Sequence, residues 1–566
     1  MPTDHPTDDR LRIAVALLAS AMMAAPLWVG RFLPLLDLPQ HLAITTVLLR
    51  YDDPAWLLAA YFEPQRGEFT PYWAHYLALE WLGHLMPVDV AARAFLSLYV
   101  FALPWAAMAL ARALGRPPAL GLFAIPLSLN ANVYYGFIAY CWSVVALLWA
   151  LALLARQLDA PRAARAACLG LLAGALFFTH VQSFAFLLLA AAVLVVIERG
   201  GAASHPPEPP LALRQRDSGS RVALALVAMS RRALRAWPLA PATVALFLPW
   251  LYLATTTQPG TERYFPYLDD PRAKYEAPLE RLAALPAAVA GSYQDGTDNW
   301  LLAAWAMAVA AAAWSARPDT HVAARGPDPP AAGREPHGTP ARSAVALTVA
   351  AVACYFALPV SIQGQWNIAQ RFAWTAALLL PCVVRATPRW LPAATLALAA
   401  ATAANAAWHH ARFDREAAPF DRALATLRPG ARVLGLIYDS RGQVLERWPY
   451  LHFEQYAVVH GGGMAAHSFT ANAPLPVRLR PRARGPEPRV WHPGEFRYDE
   501  HGRFFDFFLI RDPTGRQDVL RQFAPGSVDE VFRGGAWRVY RGRFDFKPRV
   551  IQLAPGDDSG KRMNRD

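Results

Sequence analysis

Long apolar runs alternate with short polar segments over the first 408 residues of the chain. Most runs approach the ~20 apolar residues that a helix needs to cross a bilayer. The predicted spans cover residues 13–29, 88–114, 119–129, 138–154, 166–178, 184–197, 239–254, 300–314, 343–359, 372–384 and 391–408. The pattern therefore predicts an all-α membrane bundle of about eleven transmembrane helices.

Arginines are concentrated in the segments 156–165, 199–237 and 385–389 between these runs. The positive-inside rule assigns such segments to the cytoplasm, which also places the N-terminus there. The polar and aromatic segments 31–87 and 255–299 then become the first and second external loops. Within the first loop, residues 42–49 and 71–85 have one apolar and one polar face, and their aromatic content is typical of interfacial helices.

The pattern changes after residue 408, where helical and strand-like segments follow one another. An amphipathic helix is predicted over 414–427, and buried strands are predicted over 433–438, 504–510 and 537–540. This alternation predicts an extracytoplasmic α/β domain over 409–553. Residues 554–566 are polar, and we expect a disordered tail there. Residues 1–408 form the predicted transmembrane domain.

Composition agrees with a membrane protein that has a sizeable polar part. The 566 residues are 55% hydrophobic and 17% charged, which is more apolar than average for a soluble protein. The formal net charge of +12 does not indicate a nucleic-acid partner, because the arginines lie in loops between apolar spans. The four cysteines all lie in apolar runs without paired spacing, which is typical of core residues: Cys141, Cys168, Cys354 and Cys382.

A carboxylate directly follows the first span. Asp37 lies between Pro34 and Pro39, where the helix should leave the bilayer. One interpretation is that Asp37 caps a short surface helix with Pro39 in its first turn. The other is that Asp37 lies at the mouth of a membrane cavity as a catalytic carboxylate. In that case Gln40 and His41, on the same stretch, are candidate substrate contacts.

Four further residues are candidate substrate contacts. His180 lies in a polar break between two half-length runs, and such breaks are tolerated at membrane depth where they face protein or a water-filled cavity. Arg371 stands at the outer start of a span, next to Gln370, and a guanidinium binds phosphate oxygens bidentately. Tyr72 belongs to the aromatic first loop. Structural roles remain open: a hydrogen bond between helices for His180, snorkelling to headgroups for Arg371 and loop anchoring for Tyr72.

The densest polar-aromatic cluster of the C-terminal region is Tyr450–Tyr456, followed by the glycine run 461–463. The cluster is a candidate for recognising an acceptor or closing over the membrane cavity. The glycines are equally explained by a turn between a strand and a helix, since a glycine run without a following Lys-Ser/Thr is not a phosphate loop.

A carboxylate just after the first span, about eleven spans, a broken helix pair and a terminal α/β domain together resemble the C-type glycosyltransferase superfamily. Its members include protein O-mannosyltransferases, aminoarabinose transferases of lipid A and oligosaccharyltransferases. The resemblance implies a polyprenyl-phosphate-linked sugar as donor and gives Asp37 the role of base or acceptor-orienting group. Asp37 is followed by Leu38, whereas the family's loop often has two adjacent acidic residues. Asp52-Asp53 or Asp269-Asp270 are candidates for the second acidic motif of metal-dependent members, so a divalent metal stays open and no metal ligand is assigned.

The resulting hypothesis is a glycosyltransferase of the bacterial inner membrane. It moves a sugar from a lipid-phosphate donor to a glycan, lipid or protein acceptor on the extracytoplasmic face, with Asp37 as base. Its partners are then membrane lipids and the lipid-linked donor, and not nucleic acid. A transporter or flippase of a lipid-linked saccharide is the alternative, although such proteins tend to have paired broken helices in both halves. A non-catalytic relative with the same architecture is the third possibility.

Overall fold

The computed structural model describes residues 6–67, 69–197, 227, 229–256, 273–315, 339–362, 365–471 and 475–543. Its helices up to residue 424 are Pro6–Ala24 (α1), Leu38–Arg50 (α2), Leu58–Tyr61 (α3), Trp73–Gly83 (α4), Val88–Ala113 (α5), Ala131–Tyr134 (α6), Ile138–Asp159 (α7), Ala163–Thr179 (α8), Val181–Ile197 (α9), Trp237–Ala254 (α10), Pro278–Val289 (α11), Thr297–Ser315 (α12), Thr339–Ala357 (α13), Arg371–Leu379 (α14) and Leu391–Leu424 (α15).

The apolar runs have become helices. Within the described residues, five helical stretches are long and apolar enough to cross a membrane: α5, α7, α10, α15 and α1 with its 3-10 extension to Trp28. Shorter apolar helices are α8, α9, residues 342–357 and residues 371–383. The predicted run 119–129 is instead a buried 3-10 helix, Pro118–Leu127, packed against α5. The helices are those of a membrane protein, and the total of about eleven spans stays a prediction.

The two predicted helices of the first loop are α2 and α4, and they pack against each other. The predicted break at His180 is also present, since α8 ends at Thr179 and α9 begins at Val181. Much of segment 199–237, part of loop 255–299 and the tail 554–566 lie outside the described residues.

Helix α15 runs without interruption from Leu391 to Leu424. The last predicted span and the predicted amphipathic helix over 414–427 are therefore one element, and residue 409 lies inside a helix. The first part of α15 is apolar all round, whereas its last turns pack Phe413 and Phe420 against the aromatic core of the C-terminal region. The change in side-chain pattern at residue 409 thus marks a change in surroundings without a change in backbone structure.

The C-terminal region contains the three predicted strands in one five-stranded sheet. Its order is Met464–Ala465 (β5), Arg432–Ile437 (β4), Phe507–Arg511 (β7), Trp537–Gly542 (β9) and Val528–Gly534 (β8). Strand β4 pairs in parallel with β5 and β7, and β9 is antiparallel to both neighbours. Short helices of the region are Tyr456–Gly461 (α16), Tyr498–His501 (α17) and Val519–Phe523 (α18).

Backbone pairing joins the first loop to the C-terminal region. Strand Phe62–Pro64 (β1) pairs antiparallel with Val477–Leu479 (β6), and the amide of Gly463 donates to the carbonyl of Trp56. Gly462 and Gly463 both have positive φ, and a Cβ at Gly462 would lie 2.2 Å from the Trp56 oxygen. The glycine run is therefore a tight turn from α16 into β5, which only glycine can make here. Ser361–Ile362 (β2) and Gln365–Trp366 (β3) form a separate small hairpin.

Candidate active site

The backbone at Asp37 is held by the turn that precedes α7. The amides of Leu36 and Asp37 donate to the carbonyls of Tyr134 and Tyr135, at 3.0 and 3.2 Å. Gly136 has φ +78°, and a Cβ there would lie 2.6 Å from the Asp37 nitrogen. The close approach of the two segments therefore requires glycine at position 136, and it fixes where α2 begins.

The side chain of Asp37 does not act as a helix cap. Asp37 occupies the N-cap position of α2 with Pro39 in the first turn, but its carboxylate accepts no hydrogen bond from the helix. The side chain is 15% exposed. Burial raises the pKa of Asp37 to about 7, although the Arg371 charge acts in the opposite direction. A carboxylate with this pKa and no capping bond has the properties of a general base.

Arg371 opens α14 as a buried cation. Its Nη1 donates to the Gln182 side chain at 3.1 Å, while its Nε is buried without a partner. The guanidinium lies 4.2 Å from the ring centre of Phe137 and 5.7 Å from that of Tyr140. No carboxylate of the described residues forms an ion pair with it. A buried guanidinium is usually paired, so this one is available to an anion.

Tyr72 and His180 lie beside Arg371. The Tyr72 and Tyr140 rings contact the His180 ring edge to face, at 5.5 and 5.3 Å between centres. Burial raises the pKa of Tyr72, and the Arg371 charge acts against that rise. The Nδ1 atom of His180 and the Oε1 atom of Gln370 are buried without a partner. Four predicted contacts are therefore grouped around a polar site with unused hydrogen-bonding capacity.

His41 extends the same group towards α4. Its Nδ1 lies 2.9 Å from the Tyr76 hydroxyl, and its ring meets that of His75 at 5.2 Å. Burial lowers the pKa of His41 to about 4, so the imidazole is neutral. Both ring nitrogens of the buried His75 lack a partner. The site thus contains neutral imidazole groups in addition to the Asp37 carboxylate and the Arg371 guanidinium.

Gln40 is engaged with the C-terminal region. Its Nε2 donates to His452 Nδ1 at 3.2 Å and to the His467 carbonyl at 2.8 Å. Its Oε1 accepts from the Phe469 amide at 3.0 Å. On the other side of its ring, His452 Nε2 is 3.8 Å from Asp37 Oδ1. Gln40 therefore anchors neighbouring residues in this state, and a direct contact with substrate stays a prediction.

The acidic pair Asp52-Asp53 shows no metal site in the part of the chain that is described. Asp53 caps the 3-10 helix Pro54–Trp56, where its carboxylate accepts a hydrogen bond from the Ala55 amide at 3.0 Å. This is the role of an acidic residue in a turn. Asp269 and Asp270 lie outside the described residues. Among the described residues, no three His, Cys, Asp or Glu side chains are arranged to hold a metal ion. Metal dependence therefore stays open.

Several members of the site were missed by the sequence analysis. Gln182 belongs to the polar break that was recognised, and its spacing from His180 gave a signal. His452 belongs to the cluster 450–456, one of whose predicted roles was to close over the membrane cavity. His75 belongs to the polar-aromatic first-loop stretch that was recognised. Tyr140 had no signal, because an aromatic residue within an apolar helix is usually a core residue.

Comparison with known proteins identifies the fold. The chain resembles the crystal structure of ArnT from Cupriavidus metallidurans bound to undecaprenyl phosphate, with a TM-score of 0.51 and 14% identity over 94% of this chain and 97% of the other. The apo state of ArnT matches equally well, with the same TM-score and coverage. The arabinofuranosyltransferase AftD from Mycobacteria matches with a TM-score of 0.46 and 14% identity, over 94% of this chain and 40% of AftD.

No family model and no curated protein sequence matches the chain. The predicted resemblance to aminoarabinose-transferase-like members of the C-type glycosyltransferases is confirmed as a likeness of fold.

Proposed function

We propose that the chain is a membrane glycosyltransferase that moves a sugar from a polyprenyl-phosphate donor to an acceptor hydroxyl, with Asp37 as the general base. The observation that carries this proposal is that one site contains a carboxylate and a guanidinium, neither of which has an oppositely charged partner in a formed ion pair within the described part of the chain. Asp37 is a poorly solvated carboxylate without hydrogen bonds from its helix, and Arg371 is a buried guanidinium with no carboxylate partner among the described residues.

Each charge has one task in the transfer. The acceptor oxygen attacks the anomeric carbon of the donor, and the bond between that carbon and the phosphate oxygen breaks. Asp37 takes the proton that the acceptor hydroxyl loses. The phosphate leaves with the electron pair of the broken bond, and Arg371 stabilises its growing negative charge through charge-assisted hydrogen bonds. Protons and charge balance without a further reactant.

The groups around Asp37 and Arg371 suit the hydroxyl-rich sugar part of the donor. His75, His180 and Gln370 present buried polar atoms that have no protein partner, and sugar hydroxyls both donate and accept hydrogen bonds. The proposed substrate-binding residues also include His41, Gln40 and Tyr72, which lie in the same site. The ArnT structure with undecaprenyl phosphate has the same fold, which supports a lipid phosphate as the donor's carrier.

We further propose the topology that follows from the arginine distribution. The N-terminus lies in the cytoplasm of a bacterial cell, and the region 409–553 lies outside the inner membrane. Asp37, at the end of the first span, is then at the outer surface, where a flipped lipid-linked sugar is accessible.

The test is an analysis of lipids in cells that lack the protein. We expect a polyprenyl-phosphate sugar to accumulate, and its mass would identify the sugar. Expression of the wild-type chain should remove it, whereas Asp37→Asn should not, because an amide cannot accept the proton. Glu63→Gln is the matched control, since Glu63 is an exposed acidic residue of the same loop.

Two outcomes would contradict the proposal. If Asp37→Asn clears the lipid as well as the wild type does, Asp37 is not the base. If the lipid-linked sugar accumulates only on the cytoplasmic side of inverted vesicles, the alternative of a transporter or flippase is favoured.

A further inference from the structure

The C-terminal region contributes a side chain to the immediate surroundings of Asp37. His452 lies in the segment before α16, is only 6% exposed, and is separated from the first loop by most of the chain. Its Nε2 is the nitrogen that faces Asp37, at 3.8 Å from Oδ1. This distance is longer than a formed hydrogen bond, as is common in catalytic sites before substrate binds.

The protonation state of His452 follows from its neighbours. The Gln40 amide is fixed in orientation, because its Oε1 accepts from the Phe469 N–H and its Nε2 donates to the His467 carbonyl. Its second N–H therefore points at His452 Nδ1, 3.2 Å away, and Nδ1 must accept. In a neutral imidazole, the proton is then on Nε2, the atom that faces Asp37.

The ring is neutral for a separate reason. Burial lowers the pKa of His452 to about 3, and the neighbouring histidines His467 and His41 add to that shift. An imidazole that is neutral and locked with its proton on Nε2 can donate a hydrogen bond but cannot take the acceptor proton itself. It therefore does not compete with Asp37 as the base.

We propose that His452 is a positioning residue that holds Oδ1 of Asp37 through its Nε2–H group and leaves Oδ2 to receive the proton of the acceptor hydroxyl. The inference rests on the proposed function of Asp37 and adds a requirement to it: the site is incomplete without the C-terminal region. A movement of less than ~1 Å brings the two atoms to hydrogen-bonding distance.

Other groups near Asp37 do not supply this bond. Arg371 acts on Asp37 through its charge and binds Gln182. The Tyr76 hydroxyl is engaged with His41 Nδ1 at 2.9 Å. The amides of Gly136, Phe137 and Ile138 in the turn before α7 already donate to carbonyls of that turn. His452 is the neutral donor with a nitrogen near the carboxylate in the described part of the chain.

The experiment measures the protonation of Asp37 directly and then compares it with activity. An infrared difference titration between the wild type and Asp37→Asn reports the protonated carboxyl of Asp37 in detergent-solubilised protein. It is run with undecaprenyl phosphate present, because the 3.8 Å distance of the ligand-free structure is longer than a formed hydrogen bond. A hydrogen bond to the ionised form lowers the pKa of a carboxyl. We expect His452→Phe, which keeps an aromatic ring but has no donor, to raise the midpoint by about one pH unit.

A second variant separates the donor from the shape of the ring. In His452→Gln the side-chain amide can place an N–H near the position of Nε2, so we expect the midpoint to return towards the wild-type value. His492→Phe is the matched control in the same region, because His492 is exposed, and we expect no shift. Transfer by vesicles, followed as loss of the lipid-linked sugar, should show a lower kcat with an unchanged KM in His452→Phe.

The outcomes distinguish this inference from the proposed function. An unchanged Asp37 midpoint in His452→Phe, or equal shifts in the Phe and Gln variants, overturns the role of His452 while Asp37 remains the base. A wild-type protein whose transfer does not follow the Asp37 midpoint overturns the proposed function itself. The infrared shift would still report whether His452 contacts the carboxylate.

Discussion

Two buried arginines of this protein have opposite surroundings. Arg511, in the C-terminal sheet, is 1% exposed and forms ion pairs with Glu416 and Asp439, both at 2.5 Å. Its guanidinium also stacks 3.7 Å from the Tyr450 ring centre. Arg371 is also buried, at 8% exposed, but donates only to an amide oxygen and lies on aromatic rings.

The difference separates an arginine whose charge is balanced by carboxylates within the fold from one that has no carboxylate ion pair among the described residues. Burying a guanidinium costs several kcal/mol unless carboxylates and hydrogen bonds compensate it. The charge of Arg511 is balanced by two carboxylates of the same chain, so its side chain needs no ligand. Arg371 makes only neutral oxygen and π contacts among the described residues, with the Asp37 charge acting on it from beyond ion-pair distance. A phosphate would supply a directly bound negative charge.

The same contrast applies to the carboxylates. Burial acts to raise the pKa of Asp439, but the Arg511 charge and hydrogen bond outweigh it and leave that pKa lowered. Burial dominates at Asp37 and raises its pKa to about 7. Asp439 is held ionised by its partner and stabilises the fold, whereas the raised pKa of Asp37 in a polar site makes it a candidate for chemistry.

The largest expected effect is the loss of folding stability on replacement of Arg511. Arg511→Ala leaves Glu416 and Asp439 without their cation, and breaking a buried pair in this way costs ~3–5 kcal/mol. We expect the variant to be lost from membranes or to aggregate on size-exclusion chromatography after detergent extraction. A variant that elutes like the wild type, at the same yield, would contradict the contrast between the two arginines.

Arg371→Ala should instead leave the fold intact and weaken donor binding. Charge-assisted hydrogen bonds contribute ~1.5–3 kcal/mol, so we expect the Kd for undecaprenyl phosphate to rise about 10- to 100-fold. Binding is measured on purified protein in nanodiscs. Arg389→Ala, an exposed arginine at the predicted inner turn, is the control, and Arg371→Lys should bind with intermediate affinity. Unchanged affinity in Arg371→Ala would remove the phosphate role.

The pH dependence of transfer sharpens the role of Asp37. As the base, Asp37 must be ionised, so kcat/KM should be constant above its pKa of about 7 and fall about tenfold per pH unit below it. The measurement is the initial rate of loss of the lipid-linked sugar in vesicles at low donor concentration. A rate that is unchanged down to about pH 5 would be inconsistent with a base of this pKa.

The smallest expected effect is a gain of stability. Raising the pKa of Asp37 from 3.8 to about 7 destabilises the ligand-free fold once the pH exceeds the unfolded value, because the unfolded carboxyl then ionises more readily. Asp37→Asn removes that cost. We expect its melting temperature to exceed the wild-type value by a few degrees at about pH 8, and the difference to vanish below about pH 3, where the carboxyl is protonated in both states.

Asp52→Asn should show no such gain at either pH, since Asp52 is exposed. A lower melting temperature for Asp37→Asn would mean that the carboxylate stabilises the fold and is not held in reserve for catalysis.

The sequence predicted the elements that depend on local pattern. Helices α5 and α7, the break at His180 and strand β4 follow from apolar periodicity and polar interruptions, which are short-range signals. Asp37 and Arg371 were both selected as site candidates from their positions at the ends of spans, and the structure places them within electrostatic range of each other. The continuity of α15 through residue 409 was missed, because a change from apolar to amphipathic composition resembles a domain boundary.

What the sequence could not reveal are contacts between distant segments. Gln40 and His452 are 412 positions apart, and no periodicity links an amide in the first loop with an imidazole beyond the last span. The side-chain partners of Arg511 and Arg371 are likewise a property of packing. Both residues are arginines in apolar surroundings, and only the three-dimensional structure distinguishes them.

The pairing of β1 with β6, together with the contact of Gly463 with Trp56, has a consequence for biosynthesis. The segment that bears Asp37 leaves the ribosome early, but its docking strand is made more than 400 residues later. A chain that is interrupted anywhere before that strand inserts its helices without completing the reaction centre. Truncated products are therefore expected to be inert towards the cell's lipid carriers.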